Sequence, residues 1–117
     1  MSVSFQKERL MIKLKKDQHR RVRGGFAELI DVICSACGKK VILYQKDGSG
    51  QLLRCYINRI FAPEELKKLQ YNPKLDTKSM PNLVCECGSI IGIPMKYRDD
   101  RLAFRLLRGK FQRRKTI

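Results

Sequence analysis

This chain of 117 residues has no apolar run approaching the roughly eighteen residues of a membrane-spanning helix, so no such span is expected. It has a single histidine, His19. No Ser-His-Asp set, no pair of carboxylates in an apolar setting and no phosphate-cradling glycine loop can be picked out, and their absence argues against an enzyme. Gly48-Ser49-Gly50 reads simply as a turn. An uninterrupted hydrophobic region near the N-terminus is also missing. From Lys7 onward charged and apolar residues alternate, which does not suit a secretory signal. Glu8 and Asp17 argue mildly against an organellar transit peptide. The expectation is a reducing compartment, the cytoplasm or an organellar matrix, where disulfide-rich scaffolds are rare.

Acidic side chains are scarce as well. Lysine and arginine number 26 against 11 aspartates and glutamates, for a net charge of +15. The excess is segregated. Residues 1–23 carry eight basic and two acidic side chains, residues 96–117 nine and two, and residues 24–95 nine and seven. Thirteen of the fifteen excess charges therefore lie in the two terminal segments. Basic margins on a near-neutral middle are the footprint of a nucleic-acid binder. The same layout suggests a basic arm over 1–23, a metal-binding β domain over 24–109 and a basic tail over 110–117. A chain this short gains from a metal staple.

Cysteine is present in a pattern that supplies one. Cys34-x-x-Cys37-Gly and Cys85-x-Cys87-Gly look like two halves of one tetrahedral site. In structural zinc sites a thiolate sulfur sits about 2.3 Å from the ion, and four ligands close the coordination. Such a site would hold one structural Zn²⁺ and leave no open position for catalysis. Gly38 and Gly88 suit the sharp turn past each pair, where positive φ excludes a Cβ. Lys39 and Lys40 are placed to offset the charge of the thiolates. The second pair has only Glu86 between its ligands, shorter than the usual two to four residues. Cys55 reads as a buried core thiol on one face of a strand with Leu53 and Ile57. His19, in a basic run, reads as solvated or RNA-facing.

The middle reads as mainly β, with one or two short helices. Phe26–Ile33 leads into the first cysteine loop as a strand. Val41–Tyr44 and Leu52–Phe61 flank Lys46-Asp47-Gly48-Ser49-Gly50, a hairpin signal. Pro63 opens a short helix through Gln70, with Glu64 and Glu65 at its start and Lys67 and Lys68 near its end. Tyr71–Asn82 is a loop. Ser89–Ile93 is a short strand that Pro94 confines to an edge or an end. For 100–108 two readings stand, with the helix preferred. One is a helix capped by Asp99 and stopped at Gly109. The other is a strand with Leu102, Phe104 and Leu106 inward. In the N-terminal arm, Leu10, Ile12 and Leu14 alternate with Arg9, Met11, Lys13 and Lys15, as in a docked edge strand or an arm lying along a partner. Lys15–Gly25 and Lys110–Lys115 are expected to order only on binding.

A Cys-x-x-Cys-Gly loop, a hairpin and a Cys-x-Cys-Gly loop over about residues 30–95 resemble a zinc ribbon or a related Mss4-like zinc β-fold. The resemblance implies a zinc-stapled β domain. Its class hosts nucleic-acid-binding, ribosomal, transcription and protein-binding members, and so sets no function by itself.

The leading expectation is a structural RNA-binding protein, ribosomal or ribosome-associated, with rRNA and neighbouring proteins as partners and no small-molecule substrate or membrane. Phosphate contacts are assigned to Lys13, Lys15, Lys16, Arg20, Arg21, Arg23, Arg101, Arg105, Arg108, Lys110, Arg113, Arg114 and Lys115. Phe5, Tyr97, Phe104 and Phe111 are candidates for stacking on unpaired bases, although core packing suits Phe104 and Tyr97 better. A DNA-binding or transcription-associated zinc protein is the alternative, followed by an Mss4-like protein-interaction module. The latter leaves the basic margins without a purpose.

Overall fold

The computed structural model describes residues 27–48 and 50–115. They form two four-stranded antiparallel sheets. The first is ordered β4-β2-β1-β8 and the second β3-β7-β6-β5. The strands are β1 (Glu28–Cys34), β2 (Lys40–Lys46), β3 (Arg54–Tyr56), β4 (Ile60–Ala62), β5 (Leu83–Val84), β6 (Ile90–Tyr97), β7 (Arg101–Leu106) and β8 (Phe111–Lys115). One short helix, α1 (Glu64–Lys67), continues into a 3-10 turn over Lys68–Tyr71. No helix among the described residues is long and apolar enough to cross a membrane.

The strands follow from β-branched and aromatic residues at alternate positions, which pack well on a pleated surface. Ile30 and Val32 of β1 and Ile42 and Tyr44 of β2 join the main core with Cys55, Leu83, Ile91, Phe104 and Leu106 of the second sheet. Phe104 is fully buried, as are Ile42, Ile91 and Cys55. Burying each large apolar side chain of this kind stabilises by about 1.5–3 kcal/mol. Tyr44 adds a polar tie: its buried hydroxyl accepts the Tyr56 N–H at 2.8 Å, joining β2 to β3 of the other sheet. Burial pushes the Tyr44 phenol well above its ordinary pKa.

Several expectations give way here. The hairpin expected around Lys46–Gly50 does not form, because β2 and β3 do not pair with each other. β2 pairs with β1 and β4, whereas β3 pairs with β7 in the other sheet, so the chain crosses between sheets at this point. The reason lies in Asp47, which accepts bonds from Gln45 Nε2 and Arg59 Nε, both at 2.8 Å, while Lys46 Nζ donates to the Gly48 carbonyl at 2.6 Å. Arg59 is fully buried, and the loop is organised around its charge. The Leu52–Phe61 run is accordingly broken into β3, a 3-10 turn over Ile57–Arg59, and β4. Cys55 and Ile57 are buried as expected, but Leu53 is exposed and Leu52 enters the core instead.

Residues 101–106 are a strand, not a helix. Pairing with β3 on one side and β6 on the other overrides the local helix pattern and turns Phe104 inward. Asp99 is no N-cap: it and Asp100 take positive φ in the tight turn before β7. Pro94 does not end its strand, since β6 runs on to Tyr97. β5 pairs only as far as Gly92, so Pro94 lies where β6 has a neighbour on one side only, and its missing N–H is tolerated. Lys110–Lys115, expected to order only on binding, contributes β8, which pairs with β1 from Ile30↔Lys115 to Cys34↔Phe111. The expected N-terminal strand, His19 and Phe5 lie outside the described residues.

Candidate metal centre

Each cysteine pair sits where one hairpin turns. Ser35–Lys39 joins β1 to β2, and Cys85–Ser89 joins β5 to β6. The two turns are built alike. Gly38 N–H donates to the Cys34 carbonyl and Gly88 N–H to the Cys85 carbonyl, both at 2.8 Å. Cys34 N–H and Cys85 N–H close the turns on the carbonyls of Lys39 and Ser89, both at 2.9 Å. Gly38 and Gly88 have φ of +78° and +93°, the left-handed conformation expected of them. One hairpin belongs to each sheet, so the cysteines meet across the two sheets.

The four sulfurs all lie within 4.8 Å of one another. Cys34 Sγ is 3.7 Å from Cys87 Sγ, and Cys37 Sγ is 3.4 Å from Cys85 Sγ. Four sulfurs held about 2.3 Å from one tetrahedral ion stand about 3.8 Å apart. The spacing fits that requirement, so the residues present can hold a metal ion. The short Cys85-x-Cys87 spacing is no obstacle. Each pair offers one buried sulfur, Cys34 or Cys85, and one exposed, Cys37 or Cys87, and each buried residue faces the exposed member of the other pair. Cys55 is not part of the group; it lies in the core, where burial pushes its thiol up.

The electrostatics favour thiolate at one corner. Burial pushes the Cys34 thiol up, but the N–H groups of Cys37 and Ala36 and the thiols of Cys87 and Cys85 outweigh it and hold the group at about 6. Cys85 is pushed up to about 12, chiefly by burial, with the neighbouring thiols adding to it. Lys39 Nζ lies 3.3 Å from Glu86 Oε2, bridging the two cysteine turns at the surface. The bond to Glu86 and its charge raise the Lys39 pKa, and Cys37 and Cys85 add to the effect. Lys40 is turned to other work, 3.5 Å from the buried Asp31 carboxylate. Glu86 was missed at the sequence level as a partner of Lys39; its place between two ligands was the available signal.

The cationic residues assigned to RNA are distributed unevenly. Lys13, Lys15, Lys16, Arg20, Arg21 and Arg23 lie outside the described residues. Arg108 and Lys110 are exposed in the turn between β7 and β8, and Arg113, Arg114 and Lys115 are exposed on β8. That turn abuts the first cysteine loop, where the Ser35 N–H donates to the Lys110 carbonyl at 3.0 Å. Arg113 also donates to the Gly50 carbonyl at 3.2 Å. Arg101 and Arg105 are carried on β7 of the other sheet. Of the candidate stacking aromatics, Phe104 is excluded because it is fully buried, and Phe111 packs against the core. Tyr97 remains partly exposed and meets Tyr56, which sequence reasoning overlooked although it alternates with Arg54 along β3.

No family model, curated protein or solved structure matches this chain. The class is therefore defined by the fold and the site. This is a mainly β protein of two sheets whose hairpin turns bring four cysteines together in a group able to bind a metal, compatible with a zinc-binding fold.

Proposed function

We propose that the ion is Zn²⁺, that the fold is akin to the zinc ribbons and Mss4-like zinc β-folds, and that the chain is a structural RNA-binding protein of a ribonucleoprotein, ribosomal or ribosome-associated. The observation that carries this reading is the segregation of charge, thirteen of fifteen excess positive charges lying in residues 1–23 and 96–117. Zinc is favoured by four thiolate donors at tetrahedral spacing, the donor set of closed structural zinc sites. A closed site supplies rigidity instead of reactivity. What it makes rigid includes the first cysteine loop, which is bonded to the turn carrying Arg108 and Lys110. Lysine and arginine on such a scaffold neutralise phosphates and release counterions, with RNA shape and the surrounding proteins selecting the site.

The test is purification of the native chain at low salt, asking whether it sediments with ribosomes and is released by ribonuclease. Binding of the purified, metal-loaded protein to RNA should fall by about 0.7–0.9 in log K per tenfold rise in salt for each phosphate neutralised. Salt-insensitive association, or none, contradicts the reading.

A further inference from the structure

We infer that the outward face of the second sheet is a stacking platform for the unpaired bases of a single-stranded RNA segment, a site distinct from the basic margin on β8. This rests on the RNA-binding reading and adds to it where, and in which form, RNA is held.

The register defines the face. Arg54 lies opposite Arg105, Tyr56 and Met95 flank Ala103, and Tyr97 lies opposite Arg101. The intervening residues Cys55, Phe104 and Leu106 point into the core. Tyrosine and arginine therefore alternate with core-facing residues along β3 and β7, and Tyr97 of β6 joins the outward set. Ala103, at the centre, is fully covered, and its small side chain leaves room for rings and guanidiniums to cross over it.

The contacts among these side chains form a connected layer. The Tyr56 and Tyr97 rings meet edge to face, with centroids 6.1 Å apart. The Arg101 guanidinium carbon lies 3.6 Å from the Tyr56 ring centroid, and that of Arg54 lies 3.9 Å from the Tyr97 centroid. Arg98 approaches the Tyr97 ring at 5.7 Å. Arg101 is further steadied by Asn58 Oδ1 at 3.4 Å. Such cation–π contacts hold long side chains in place before any ligand arrives, which lowers the ordering needed on binding.

The chemistry of the layer selects its occupant. A guanidinium laid over a ring is a flat cation, and bases stack on arginine planes as well as on aromatic rings. Four arginines provide positive charge for the phosphates of the same strand, with Arg98 and Arg105 exposed. The acidic residues of this region, Asp99 and Asp100, are confined to the turn at one end of the strands. Among the described residues the aliphatic side chains of this face are the half-buried Ile93 and Met95, so its apolar character comes mainly from rings. A duplex keeps its bases stacked inside and has no use for the rings. Unpaired bases joined by phosphates use both parts of the layer.

The experiment compares a short labelled oligouridylate with an RNA duplex of equal length, binding the full metal-loaded chain, by fluorescence anisotropy. Tyr97→Ala should weaken single-strand binding about tenfold, in keeping with the loss of one stacked base, and leave duplex binding unchanged. Tyr97→Phe should restore it, since the ring without its hydroxyl still carries the Arg54 guanidinium and completes the layer. Arg105→Gln, at an exposed position, should also weaken single-strand binding and serves if Tyr97→Ala does not fold. Equal losses for single strand and duplex would mean that the face contributes charge alone, and would overturn the platform. So would unchanged single-strand binding in both Tyr97→Ala and Arg105→Gln, while duplex binding by the wild type leaves the RNA reading intact. Tighter binding of the matched oligodeoxynucleotide overturns the choice of RNA. If the wild type binds neither RNA at low salt, the proposed function itself falls.

Discussion

The Ser35 N–H donates to the Lys110 carbonyl at 3.0 Å, joining the first cysteine loop to the turn between β7 and β8. One residue before Ser35 and one after Lys110, Cys34 and Phe111 are partners in the β1–β8 ladder. The turn from Leu107 to Lys110 also carries the chain from the second sheet back to the first. The cysteine group and the cationic edge of the first sheet are therefore parts of one local structure.

Removing the metal should consequently loosen both. Stoichiometric zinc is expected in purified protein, and chelation or Cys85→Ser should lower the melting temperature sharply, since the free energy of metal binding to such sites is folding free energy. RNA affinity should fall with it. Metal analysis and a thermal melt with and without chelator check this; a melt unaffected by chelation would show that the cysteines do not hold a structural ion.

Metal affinity should rise with pH. Without metal, Cys34 is held at about 6, below its ordinary 9.0, whereas Cys85 is pushed up to about 12. The depressed Cys34 value favours the fold fully above the ordinary thiol value, and that contribution is lost as pH falls through the folded one. Cys85 is still protonated at neutral pH and must release its proton when a metal binds. Protons and metal thus compete, and apparent affinity should increase between about pH 6 and 8, with metal released on acidification. Competition against a chromophoric chelator at several pH values measures it. A flat profile would contradict thiolate ligation.

Phe104→Ala should cost about 3–5 kcal/mol, because a fully buried ring is removed where both sheets meet and the site cannot close over the gap. Phe104→Leu, which keeps most of the volume, should cost less. Denaturant unfolding of the metal-loaded protein measures both. A loss as small as that of a surface substitution would place Phe104 outside the core.

Arg59→Ala should cost about 3–5 kcal/mol, since it leaves the Asp47 carboxylate without its buried partner. Asp47 also holds Gln45, so the crossing between sheets should loosen too. Hydrogen exchange at Lys46–Gly48 reads that loosening directly. Protection equal to the wild type would mean that the loop is held by something other than this ion pair.

The cysteine group was legible because ligand chemistry fixes residue type and spacing, and the mainly β character because Ile, Val and Tyr alternate through the middle of the chain. What was illegible depends on partners distant in sequence. Nothing local to Asp47-Gly48 announces that Arg59 will claim the carboxylate and direct the chain into another sheet. Arg101–Leu106 presents apolar residues that suit either a helix or a strand, and only β3 and β6 decide between them. The β8 segment has one aromatic anchor, Phe111, and derives its order from the open edge of β1. Tyr56 and Tyr97 lie on different strands, and no reading of either strand alone predicts that they meet.

β8 has one further consequence. Among the described strands it is the last of the first sheet, with Gln112, Arg113, Arg114 and Lys115 all exposed. An outermost strand offers its unpaired backbone groups to any passing strand, and positive side chains are a common guard against that. The cations of β8 would then act in the free protein too, keeping copies of the chain apart, whatever part they play in the proposed binding of RNA. Charge removal along this strand should appear first as self-association.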